Sequence, residues 1–104
     1  MSEVDETPEA IADRLRMLRM LISGTSQPAF AARLGIETRR WNNFERGLPL
    51  SKEVAIRIVK TFPDITLDWL FLGRTDSLTL KRQRELEELS SQLPEGPASQ
   101  RSRA

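Results

Sequence analysis

The sequence predicts an all-α fold: five short helices forming one small domain, an additional C-terminal helix and a disordered tail. Three observations carry that expectation. Apolar residues return at intervals of three and four in successive short segments, the spacing that lines one face of an α-helix. Each segment is opened by a hydroxyl residue or a proline and closed by a glycine or a proline, the local signals for starting and stopping a helix. No segment alternates apolar and polar side chains with the period of two that a half-buried strand needs.

Thr7 and Pro8 open the first helix, and Ile11, Leu15, Leu18 and Ile22 give it one apolar face before Ser23-Gly24 ends it. Thr25-Ser26 opens the second, where Pro28 is tolerated because first-turn amides have no intrahelical partner; about two turns later Gly35 stops it. The third begins after Ile36, with Glu37 or Thr38 at its start, and runs to Arg46 before Gly47. Ser51 caps the fourth, whose apolar face is Val54, Ala55, Ile58, Val59 and Phe62, and Pro63-Asp64 breaks it. Thr66 caps a short fifth with Leu67, Trp69, Leu70 and Leu72, ending at Gly73.

Beyond Gly73 the pattern thins. Segment 81–88 is densely charged, and Leu86, Leu89 and Leu93 form a narrow stripe flanked by Arg82, Arg84, Glu85, Glu87 and Glu88. Such a stripe fits a seam between two copies, which makes the three leucines dimerisation candidates, and it equally fits a helix folded back on its own domain. Residues 94–104 are Pro, Gly, Ser, Gln and Arg with almost nothing apolar, too little to offset the entropy of ordering. The expected organisation is a flexible acidic leader over 1–7, a helical domain over 8–73, a C-terminal helix over 74–93 and a disordered tail over 94–104.

With 104 residues, 38% hydrophobic and 30% charged, the chain has room for one core and no second folded domain. No apolar run is long enough to span a bilayer, and the acidic start lacks the basic-then-apolar order of a secretory signal, so a cytoplasmic location is expected. Having neither Cys nor His, the sequence offers no thiol nucleophile, no Cys/His zinc site and no imidazole base. Nor does it contain a phosphate-binding glycine loop or a nucleophile elbow, and the expectation is a protein without catalytic residues, metal or cofactor. Net charge is +1, but residues 11–62 hold ten basic side chains against four acidic ones while the first ten residues carry four acids. A basic middle of this kind suits a polyanionic partner.

Segment 27–47, a short helix, a tight turn and a second helix, has the order of a helix-turn-helix unit. At 100° per residue, Trp41 and Phe44 fall on one side of the third helix. The opposite side holds Thr38, Arg39, Asn42, Asn43 and Arg46, all hydrogen-bonding and none acidic. Arginine pairs with guanine and asparagine with adenine, so this face carries the chemistry of direct base reading. Both tryptophans lie on apolar stripes and are expected in the core.

Residues 14–73 resemble the phage-repressor-like helix-turn-helix family, the Cro/CI type also called XRE. The resemblance rests on Ser26-Gln27 followed by Phe30-Ala31 and Leu34-Gly35-Ile36, on Phe44-Glu45-Arg46-Gly47, and on Thr66-Leu67-Asp68-Trp69-Leu70. It implies a five-helix lambda-repressor-like domain that acts as a nucleoid-associated repressor, a homodimer on inverted-repeat double-stranded DNA. The base-reading positions carry over to Thr38, Arg39 and Asn43, with Asn42 and Arg46 beside them. Gln27 corresponds to a residue that holds a phosphate and braces the reading helix; Arg40 and Lys52 are further phosphate candidates. A structural ion pair between Arg19 and Glu45 is likewise implied.

The sequence departs from the family pattern at Glu37, an acid at the start of the third helix where Ser, Thr or Asn is commoner. It either caps backbone amides or accepts a hydrogen bond from a cytosine amino group. Loop Ser23-Gly24-Thr25 is one residue longer than usual, and Pro63 is an extra residue before the fifth helix. An alternative reading is an antitoxin-like or adaptor protein that uses the same fold for protein–protein interaction, with 81–93 as the partner-binding segment.

Overall fold

A computed structural model describes residues 7–92, and over them the chain is helical with no strand. The leader up to residue 6, the tail over 94–104 and Leu93 lie outside the described residues. Helix α1 spans Pro8–Ser23, α2 Gln27–Leu34, α3 Thr38–Glu45 and α4 Lys52–Thr61; a π-helical turn, Asp68–Leu72, follows, and α5 spans Leu80–Gln92. Four of the helix starts are made by side-chain caps. The hydroxyl oxygens of Thr7, Ser26 and Ser51 accept from the amides of Ala10, Ala29 and Val54 at 3.1, 3.1 and 3.2 Å. Thr79 does the same for Arg82 at 3.1 Å. Each such cap is worth about 1 kcal/mol.

The core joins all of these elements. Leu15 and Leu18 of α1, Phe30 of α2, Trp41 of α3, Val54 and Ile58 of α4 and Leu70 of the π turn are fully enclosed. Phe30 is its aromatic centre, stacked on Phe62 at 5.5 Å and tilted against Trp41 at 4.7 Å between ring centroids. Trp69 is buried as well, so both tryptophans are core residues. No helix among the described residues is long and apolar enough to cross a membrane.

The fifth element differs from the short α-helix expected there. Trp69 and Leu70 are buried and Phe71 and Leu72 half-buried, and four consecutive apolar side chains do not fit the single stripe of a regular α-helix. A π turn is wider and loosens the carbonyl ladder. The freed Leu70 carbonyl accepts from Nε of the buried Arg14 at 3.0 Å. Gly73, at φ 76°, then ends the turn in the left-handed region.

Helix α5 is part of this domain. Leu78 and Leu86 belong to the same apolar cluster as the helices before Gly73. Leu86, a dimerisation candidate from the sequence, is only 4% exposed and lies inside the chain's own core. On its side toward α5, helix α1 carries Met20 and Leu21, an apolar strip that takes a cover. The narrow stripe of α5 supplies it, Leu89 lying half-buried beside Met20 and Leu21. Arg82 locks the arrangement, its guanidinium hydrogen-bonding Asp64 in the α4–π connection through Nε at 3.0 Å and again through Nη2, and reaching Glu85 at 2.7 Å.

Candidate nucleic-acid interface

The unit formed by α2 and α3 is fixed by two turns of the same design. After Leu34, the amide of Gly35 donates to the Ala32 carbonyl and that of Ile36 to the Ala31 carbonyl, both at 3.1 Å. After Glu45 and Arg46, the amides of Gly47 and Leu48 donate to Phe44 and Asn43, again at 3.1 Å. This paired closure satisfies the last carbonyls of a helix and needs a left-handed residue, which glycine supplies at Gly35, φ 74°. From α4, Arg57 donates to the Leu34 carbonyl at 3.0 Å and holds the end of α2 in place.

Trp41, Phe44 and Glu45 are the buried residues of α3. Thr38, Arg39 and Arg46 are exposed, and Asn42 and Asn43 half-buried, so the five side chains expected to read bases share the outward side of one helix. None of the five is acidic. Arg40 stands apart on the flank. It spans toward α4, 3.4 Å from Ser51 Oγ and 3.6 Å from Glu53, with its guanidinium 5.9 Å from the Phe44 ring centroid. Lys52, in the first turn of α4, is exposed.

What orients α3 is Glu45. Its Oε2 accepts from Arg19 Nε at 2.8 Å and from the Trp41 indole, and its Oε1 from Arg19 Nη2 at 3.0 Å and Gln27 Nε2 at 3.2 Å. Its backbone carbonyl accepts from Arg16 at 2.9 Å. A carboxylate has room for about four donors, and here four converge on it from α1, α2 and α3. Burying a charge is costly unless it is paired and hydrogen-bonded, and no buried side-chain polar atom among the described residues lacks a partner.

Gln27, expected at a phosphate, therefore spends one amide N–H on Glu45 and joins α2 to α3. Sequence reasoning missed the Trp41 and Arg16 contacts. The first had a signal, since Trp41 and Glu45 are four residues apart on one helix face. The second joins a side chain of α1 to a distant carbonyl and left no trace in the spacing. Glu37 occupies the N-cap position of α3, exposed, and its side chain caps nothing.

Among the described residues no group of three or more Asp or Glu side chains is arranged to hold a metal ion. Comparison of the chain with protein-family models, with curated proteins and with solved structures finds no match.

Proposed function

We propose that the chain is a sequence-specific double-stranded DNA-binding regulator, a repressor of the phage-repressor-like helix-turn-helix kind, with α3 as its reading helix. The observation that carries this reading is the division of α3 between two jobs. Its inner side is clamped by Glu45 to α1 and α2. Its outer side presents Thr38, Arg39, Asn42, Asn43 and Arg46 to solvent with no carboxylate among them. Bidentate Arg and Asn contacts are the commonest way proteins distinguish guanine and adenine in the major groove, and they demand a rigidly held helix.

Arg40 and Lys52 serve as phosphate contacts that set register without reading sequence. Gln27 donates one N–H to Glu45 and keeps a second for a phosphate oxygen. A homodimer on an inverted repeat supplies the discrimination that one small reading head lacks. With Leu86 taken up internally, the apolar side chains left exposed for its contact among the described residues are Leu48, Leu67 and Leu80, the last two on segments joined by the Thr66–Ser77 hydrogen bond of 2.9 Å.

In vitro selection from random duplex tests this. The expected result is an inverted repeat bound about 10³-fold or more tighter than random DNA, with affinity falling steeply as salt rises. A folded protein that enriches no motif and shifts no duplex at low salt would instead use this fold to hold a protein partner.

A further inference from the structure

We infer that Glu37 is a specificity-determining residue, its carboxylate accepting a hydrogen bond from the N4 amino group of a cytosine; the inference rests on the DNA-reading role of α3 proposed above. The other four α-helices each open on a hydroxyl that accepts from the amide three residues on: Thr7, Ser26, Ser51 and Thr79. Helix α3 opens on Glu37, whose backbone has the extended N-cap conformation, φ −72° and ψ 144°, while its side chain leaves the helix amides alone. Nor does the carboxylate enter any hydrogen bond or ion pair among the described residues. The capping role that the sequence allowed is thus absent, at the expense of the stability a hydroxyl would contribute there.

Reading helices bring their N-terminal residues to the base edges, and Glu37 directly precedes Thr38 and Arg39. An ionised carboxylate only accepts hydrogen bonds, so it is repelled by guanine N7 and O6 and by thymine O4. Adenine offers N6 beside the acceptor N7, which opposes the second carboxylate oxygen. Cytosine offers N4 with an acceptor, the paired guanine's O6, on one side only, where adenine N6 has one on both, and is the base this side chain selects. The same charge weakens attachment to phosphates at random sequence, so Glu37 both chooses a base and penalises the wrong ones.

The test is in vitro selection with the full chain and with Glu37→Gln and Glu37→Ser, each shown by melting to be folded. The parent should select cytosine at one position of each half-site. Glu37→Gln should move that single preference to adenine, because an amide can pair with N6 and N7 together. Glu37→Ser should erase it, costing about tenfold in discrimination at that position, while melting above the parent through its restored cap. Identical motifs from all three proteins overturn the inference and leave the DNA-reading role standing, as does a loss spread evenly over every position. A folded parent that enriches no motif overturns the role itself and the inference with it.

Discussion

Arg19 holds Glu45 with two parallel hydrogen bonds, Nε to Oε2 at 2.8 Å and Nη2 to Oε1 at 3.0 Å, so the first helix grips the last residue of α3. Both side chains are largely withdrawn from water, with 11% of the arginine and 4% of the glutamate exposed. The paired geometry fixes the rotation of α3 as well as its distance from α1, because a fork of two bonds allows neither member to swing. The outward direction of Arg39 and Asn43 is therefore set by a contact on the opposite side of their own helix.

Glu45→Gln should lower the unfolding free energy by about 3 to 5 kcal/mol in urea titration. Every group around this carboxylate is a donor, and an amide nitrogen in place of one oxygen meets donors while leaving Arg19 without its counter-charge. A variant with the parent's midpoint and slope would show that the pair contributes nothing net to stability.

Arg39→Ala should cost about 1 to 3 kcal/mol on the selected site and much less on random duplex, measured by titration at one salt concentration. Equal losses on both would make Arg39 a phosphate contact. Melting should be unchanged, since the side chain is exposed and outside the core.

Gly73→Ala should destabilise the domain by about 1 to 2 kcal/mol or more, as its φ of 76° disfavours any Cβ. An added Cβ would also lie 2.9 Å from Nη1 of Arg14, which is buried and bonded to the Leu70 carbonyl. Gly73→Asn tolerates left-handed backbone yet brings the same clash, so it should not restore the parent's melting temperature. Full recovery with asparagine would mean that Arg14 yields freely.

Leu86→Ala should cost about 2 to 5 kcal/mol of stability, the usual range for emptying a core leucine site. Sedimentation at temperatures where it remains folded should match the parent. The reverse pattern, parent-like melting with a smaller sedimenting species, would put α5 between two copies.

Much of the fold was legible in the sequence because helix ends are local events. A hydroxyl three residues ahead of an amide, or a glycine free to turn left-handed, acts within one turn, and Ser26, Gly35 and Ser51 do so where expected. The outward side of α3 was legible for the same reason, since 100° per residue separates Asn43 from Trp41 whatever surrounds them. The pairing of Arg19 with Glu45 came from the resemblance, as nothing in the spacing of two residues on different helices dictates it.

Tertiary structure alone decided how the second half closes. An apolar stripe states that a face will be buried and is silent about what buries it, so Leu86, Leu89 and Leu93 suited a second copy as well as the flank of α1. In the folded chain Leu86 lies in the domain's own core and Leu89 beside Met20 and Leu21 of α1, with Asp64 placed where Arg82 can reach it. The π turn and the burial of Arg14 arise the same way, from a carbonyl and a guanidinium 56 residues apart that meet only once the chain has packed. Local rules choose each helix and its faces, whereas the partner of each face is settled by which arrangement leaves the least apolar surface and the fewest polar groups unsatisfied.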